Sequence, residues 1–302
     1  MFKRCYFIVN NSLLLLYGAN LDSKTLLMSF KYFLIFICFG CILTGCAVKK
    51  FKNLEYNAPQ VKETPAPTLN IFTKRNPKDS LQPVLIFVHG GYWNSGRKEI
   101  YSYIGRNFAR NELTVVIPDY TKSPVASYKE MTEQIAQSIK WTQENISAYG
   151  GDPSQIYITG HSAGGHLSAL AVMNKQYAVA PKTVKGIILN DAAGLDMYSY
   201  LLENKPTDKY NYISTWTLDP ENWKAASPYY FIDEQTPEIK IYTGTKTYAS
   251  IIAGNEKFVQ ELQKYQPNVQ IEFLNKKHIP MVTQLFFPWN DRIDDIVAFI
   301  KN

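Results

Sequence analysis

The residues best placed to do chemistry are Gly160-His161-Ser162-Ala163-Gly164, which follow the apolar run QIYIT (155–159) and lead into a helix-forming stretch. G-x-S-x-G between a strand and a helix holds a serine at a tight, strained turn with its Oγ outward. The flanking positions are glycine because side chains there would collide with the neighbouring strand and helix. The amide of Ala163, at the head of the helix, then points to where negative charge develops on an attacked carbonyl. Such a serine needs a base, and the chain has four histidines. His161 and His166 flank Ser162 and are read as support, while His89 leads a glycine-rich loop and is read as packing that loop. His278 remains as the general base for Ser162. It follows the apolar run VQIEFL (269–274).

Upstream, the apolar run PVLIFV (83–88) leads into His89-Gly90-Gly91-Tyr92-Trp93. Taken together, HGGYWNSGRK, IPDY, YGGDP and GHSAGGHL resemble the carboxylesterase branch of the α/β-hydrolases, over residues 83–302. Within that branch HGGYW is similar to arylformamidases and to bacterial esterases acting on small or aromatic acyl groups. The resemblance implies an α/β-hydrolase fold, a chain order of serine, acid, histidine, and an oxyanion hole joining the amide of Gly91 or Tyr92 to that of Ala163. It further implies an acyl-Ser162 intermediate that water releases. The expected substrate is a small or aromatic carboxylic ester, with an aryl formamide as the alternative, because hole and nucleophile motifs are shared among enzymes cleaving different acyl bonds. Asp119-Tyr120, in IPDY, is read as structural.

The acid departs from the family pattern. Related esterases carry Gly-x-x-Asp after the strand that here reads IKIYT (239–243), yet this chain has Gly244-Thr245-Lys246-Thr247. Asp191, at the end of the preceding run GIILN, is the preferred substitute because strand ends on that side face the same rim as the serine turn; Asp196 lies close behind. A turn or helix-capping role for Asp191 competes with this reading. The empty slot also motivates a third expectation from another class, an impaired hydrolase retained as a binding lipoprotein.

The elements that must position these residues alternate. Short apolar runs at 68–72, 83–88, 113–117, 155–159, 184–189, 239–243 and 269–274 read as strands, and 125–149 carries Met131, Ile135, Ile139, Trp141 and Ile146 at near-helical spacing before Gly150-Gly151-Asp152-Pro153. Alternating strands and helices mean a mostly parallel sheet covered on both faces. Residues 195–236, rich in Tyr, Trp and Pro, break the rhythm and are predicted to fold over the strand ends as a small cap. Tyr92, Trp93, Tyr198, Tyr200, Tyr210, Tyr212, Trp216 and Trp223 are expected near the mouth, where such a lining suits an apolar or aromatic group.

The chain has 302 residues, 46% apolar, which is enough for one catalytic domain, assigned here to 68–302. Half of the +6 formal charge comes from Lys3, Arg4, Lys24 and Lys31 against Asp22. The nearly neutral remainder has no basic run of the kind that gathers nucleic-acid phosphates. Cys5, Cys38, Cys41 and Cys46 all lie near the start, so the body has no thiolate metal site. No H-E-x-x-H occurs either, and neither a metal nor a cofactor is expected. From Met28 a lysine and a short apolar stretch lead to Leu43-Thr44-Gly45-Cys46, the layout of a signal peptide. That tail resembles the bacterial lipobox. The resemblance implies a signal over 28–45, lipidation of Cys46, a flexible spacer over 46–67, and export to a membrane, with Ala47 favouring the outer one. Residues 1–27 are read as an upstream extension outside the translated protein.

Overall fold

The computed structural model describes residues 48–75 and 80–302. The signal segment and Cys46 lie outside the described residues. In chain order the elements are β1 (Val48–Glu55), β2 (Thr68–Lys74), β3 (Gln82–Val88), α1 (Ser102–Arg110), β4 (Thr114–Pro118), α2 (Tyr128–Asn145), β5 (Gly151–His161), α3 (Ala163–Met173) and β6 (Val184–Asn190). They continue with α4 (Met197–Glu203), α5 (Tyr212–Trp216), α6 (Pro220–Ala225), β7 (Glu238–Gly244), α7 (Ala249–Leu262), β8 (Ile271–Leu274), α8 (His278–Thr283) and α9 (Asp291–Lys301). The strands form one eight-stranded sheet in the order β1-β2-β4-β3-β5-β6-β7-β8. Only the β1–β2 and β2–β4 pairs are antiparallel. From β4 to β8 all neighbours run parallel. This is the doubly covered sheet of an α/β-hydrolase.

Why these runs become central strands is visible in their two-sided burial. Along β3, Val84, Ile86 and Val88 pack with Met131 and Ile135 of α2 and Leu167 and Leu170 of α3. The alternate residues Leu85 and Phe87 pack on the other face with Ile104 and Phe108 of α1 and Ile293, Ile296 and Ile300 of α9. Both faces being covered, the strands read as continuous apolar runs. Each such side chain contributes about 1.5–3 kcal/mol on burial. α2 begins at a capping box, in which Ser127 and Glu130 satisfy each other's exposed amides. It ends in a short tight turn closed by Gly150 in the left-handed region.

One expectation fails at the start. Val48–Glu55, assigned to a flexible spacer, is the edge strand β1, paired with β2 from Val48↔Lys74 to Glu55↔Thr68. Only Val48, Lys50, Phe51 and Leu54 are partly covered, while Lys49, Lys52, Asn53 and Glu55 are exposed. A lysine-rich strand paired on one side protects a sheet edge from further pairing, and that same composition makes it read as a spacer. Tyr56, just beyond it, is fully buried and donates its hydroxyl to the Asp119 carbonyl at 2.7 Å. No helix among the described residues is long and apolar enough to cross a membrane.

Parallel pairing brings the carboxyl ends of β3, β5, β6, β7 and β8 to one rim, where an open sheet offers its crevice. The chain leaves those ends at His89, Ser162, Asp191, Thr245 and Asn275.

Candidate active site

Ser162 sits between β5 and α3 at φ 56°, ψ −123°. A non-glycine residue there stores roughly 1–3 kcal/mol of strain and persists only if its surroundings enforce it. They do so through the backbone. The Ser162 amide donates to the Asn190 carbonyl at 3.2 Å, and its own carbonyl accepts from Gly165, His166 and Ala193 at 3.0–3.3 Å. Gly160 and Gly164 allow the bend, since a Cβ on Gly160 would lie 2.3 Å from the Gly164 carbonyl and one on Gly164 would lie 2.1 Å from the Val88 carbonyl.

His278, the first residue of α8, places Nε2 at 2.9 Å from Ser162 Oγ. On the other side of the ring, Nδ1 is 2.5 Å from Oδ2 of Asp191. A carboxylate can only accept, so Nδ1 carries the proton and Nε2 is left to accept from the serine. Asp191 is fully buried and directly follows β6, at φ 51°, a left-handed conformation that aspartate tolerates better than most residues. Its Oδ1 accepts the Gly244 amide at 2.8 Å, and its Oδ2 also accepts the Thr247 hydroxyl at 2.5 Å. Asp196, the other acid considered from sequence, is engaged elsewhere. It caps α4 through Ser199 and pairs with Lys257.

The remaining histidines hold the frame. Burial, and then the charge of His278, lower His161 to about 3; its Nε2 donates to the His278 carbonyl at 3.0 Å. His166 is lowered to about 4 by burial. His89 stacks between Tyr101 and Tyr120, with Nε2 at 2.9 Å from Asp119. Burial alone would raise the Asp119 carboxyl, but its hydrogen bond and charge contact with His89, followed by Lys122, bring it well below the usual range. Ligand atoms of His161, Asp191 and His278 lie within 4.8 Å of one another, a spacing a metal ion could use. In each case those side chains already have the hydrogen bonds just described.

Gly91 follows β3 at φ 134°, a conformation that requires glycine, and its carbonyl is tied by Asn94 and Ser95. Gly90 lies against the nucleophile turn, where a Cβ would come 3.1 Å from that of Ser162. The Gly91, Tyr92 and Ala163 amides make no hydrogen bond to another described residue.

A cavity of about 350 Å³ opens over Ser162 and His278. Tyr92, Trp93, Tyr200, Tyr210 and Tyr212 line it, as expected from sequence. Trp216 and Trp223 do not. They are buried in the core, Trp216 edge-on to Trp93 and Trp223 donating to the Thr217 carbonyl. Tyr198 also lies outside the lining and packs edge-on to Tyr230. Tyr248, which the sequence did not single out, lines the cavity, with its hydroxyl 2.7 Å from that of Tyr92 and its ring centroid 5.1 Å from His278. Its one sequence signal is its place beside the usual acid slot, at the head of α7.

The family model described as BD-FAE matches residues 69–262, from β2 through α7. The chain belongs to the BD-FAE family. The matched span of this BD-FAE member holds Ser162, Asp191 and the glycine loop, and stops short of His278. Among curated relatives, the isoprenylcysteine alpha-carbonyl methylesterase ICME of Arabidopsis thaliana is 36% identical over 124 residues, 41% of this chain and 28% of that protein. Esterase LipQ of Mycobacterium tuberculosis is 32% identical over 176 residues, 54% of this chain and 42% of that one. The chain thus spans less than half the length of either. Among solved structures, Esterase B from Lactobacillus rhamnosis matches with a TM-score of 0.68 at 18% identity, covering 84% of each chain. Carboxyl esterase 2 of Tuber melanosporum matches at 0.66 and 24% identity, covering 84% of this chain and 87% of that one. Such likenesses establish the α/β-hydrolase fold of this BD-FAE member.

Proposed function

We propose that this protein is a serine carboxylesterase acting on small or aromatic acyl esters. The observation that carries the reading is the unbroken line from Ser162 Oγ through both nitrogens of His278 to Asp191, at 2.9 and 2.5 Å. Ser162 attacks the acyl carbonyl while His278 Nε2 takes its proton, and buried Asp191 stabilises the resulting imidazolium. The oxyanion is received by the amides of Ala163 and of Gly91 or Tyr92, each such donor being worth roughly 3 kcal/mol in the transition state. His278 then protonates the departing alkoxide, and water repeats the sequence on the acyl-serine. Relatives named as a methylesterase and as esterases support ester chemistry. The tyrosine-lined cavity suits a flat or short apolar group. The impaired-binder reading rested on a missing acid, and a carboxylate at Nδ1 of His278 removes that ground.

The test is hydrolysis of p-nitrophenyl acetate by the wild type and by Ser162→Ala, with fluorophosphonate labelling of each. The wild type is expected to turn over and label, and the variant to do neither. A much higher kcat/KM on an N-formyl arylamine would replace the ester with the formamide. We further propose that residues 28–45 direct export and that Cys46 carries lipid at a bacterial membrane, with the outer membrane favoured by Ala47. Two or more acyl chains hold a protein at a bilayer firmly where one does not. Palmitate incorporation that persists in Cys46→Ser would refute this.

A further inference from the structure

A carboxylate as deeply buried as Asp191 must have its lone pairs met, because an unpaired buried charge is costly. Three donors converge on it: the Gly244 amide, the Thr247 hydroxyl and His278 Nδ1. Thr247 is close to the ring as well, with Oγ1 at 3.3 Å from Nδ1. Residues 191 and 247 therefore reach the same imidazole nitrogen from the ends of two adjacent strands, β6 and β7. The turn that presents Thr247 is clamped. Thr245 and Lys246 donate to the carbonyls of Leu274 and Lys276 at 2.8 and 3.1 Å, and Thr247 donates back to Gly244 at 3.3 Å.

Resting on the esterase reading above, we propose that Thr247 is the positioning residue of this active site. Its hydroxyl fixes the Asp191 oxygen that orients His278, and positions 191 and 247 form a two-place acid site in which a carboxylate works from either strand end. The hydroxyl proton has the carboxylate as its acceptor, which leaves Oδ2 with one defined direction for the imidazole proton. The geometry also predicts exchange. An aspartate at 247 would carry its carboxyl carbon near the present Oγ1, and its oxygens would extend about 1.2 Å further, enough to close the 3.3 Å gap to Nδ1.

The experiment compares the full chain with Thr247→Ser, Thr247→Val, Asp191→Asn and the double variant Asp191→Asn/Thr247→Asp, measuring kcat and KM on p-nitrophenyl acetate beside thermal unfolding. Thr247→Ser is expected to stay within about twofold of wild type. Thr247→Val, which keeps the shape and removes the hydrogen bond, is expected to lose about tenfold in kcat at unchanged KM. Asp191→Asn is expected to fall by about 10⁴, and moving the acid to 247 to recover at least about 100-fold of that. Wild-type kcat in Thr247→Val, or a double variant that unfolds normally yet is no faster than Asp191→Asn, overturns the proposal. If Thr247→Val does not fold, the serine variant and the exchanged pair decide alone. An unlabelled, inactive wild type would instead remove the esterase reading itself.

Discussion

The indole Nε1 of Trp93 donates to Nδ1 of His166 at 3.2 Å, tying the loop after β3 to the helix that carries the nucleophile turn. Because indole can only donate, Nδ1 must accept, and the ring proton sits on Nε2, which bonds the Ala226 carbonyl at 2.7 Å. One imidazole thus joins the glycine loop, α3 and the segment after α6, and does so only while neutral.

The pH dependence of stability follows. Burial lowers His166 from 6.5 to about 4 in the folded chain, so between those values the unfolded chain binds a proton that the folded one refuses. Stability from this residue is complete above pH 6.5 and drains as pH falls toward 4, by about 1.4 kcal/mol per unit. His161, lowered to about 3 by burial and then by His278, acts with the same sign. Urea midpoints at pH 7.5 and 5.0 are expected to differ strongly in the wild type. They should differ less in His166→Gln, although that variant is weaker at pH 7.5. An undiminished difference would place the linkage elsewhere.

Asp119 anchors the back of the glycine loop, accepting from His89 and Lys122 and from the Tyr120 amide. Asp119→Asn keeps the shape but loses the charge that both partners face. We expect kcat on p-nitrophenyl acetate to fall by about tenfold, with acylation of Ser162 by a fluorophosphonate slowed in proportion, since a loosened hole acts on the transition state. Unaltered acylation would show that the loop holds its shape without this contact.

Much of this frame was legible from residue types because the central strands are covered on both faces. PVLIFV is an unbroken apolar run for that reason, QIYIT and GIILN are mostly apolar, and parallel order then puts Ser162, Asp191 and His278 at one rim. The edge was not legible. β1 has no buried residue, is paired along one edge only and carries Lys49, Lys50 and Lys52, so its composition resembles a linker. Aromatic residue types announce burial but not direction, which is why Trp216 and Trp223 pack in the core while Tyr248 lines the cavity. Thr247 stood out only as an absent carboxylate, since what a hydroxyl does there depends on a partner 56 positions away.

The edge strand gives a prediction of its own. Deleting residues 48–57 leaves β2 paired with β4 alone and removes Tyr56, whose buried hydroxyl bonds Asp119. β2 reads TLNIFTK with Leu69, Ile71 and Phe72 fully buried, an apolar strand that would become an unpaired edge. We expect a lower unfolding temperature and concentration-dependent association in light scattering. A deletion that stayed monomeric and unfolded within about 2 °C of wild type would mean that β1 is dispensable.

Two glycines in helices should respond in opposite ways to the same added methyl. At Gly164, in the first turn of α3, a Cβ would meet the Val88 carbonyl at 2.1 Å and that of His89 at 2.6 Å. These are backbone atoms of β3 and its exit, so the helix must move away from the sheet, carrying the Ala163 amide and the Ser162 turn with it. Gly164→Ala is therefore expected to lower stability by more than about 2 kcal/mol and to reduce fluorophosphonate labelling in whatever fraction folds. At Gly254, within α7, a Cβ meets nothing within 4 Å, while glycine in a helix interior costs roughly 0.5–1 kcal/mol relative to alanine. Gly254→Ala should raise the unfolding midpoint by about that amount. Because Gly254 also lines the cavity, the methyl should narrow it, so kcat/KM for p-nitrophenyl acetate should be kept while bulkier acyl esters lose ground. If both variants were stabilised equally, close contact between α3 and β3 would not be what holds the nucleophile turn in place.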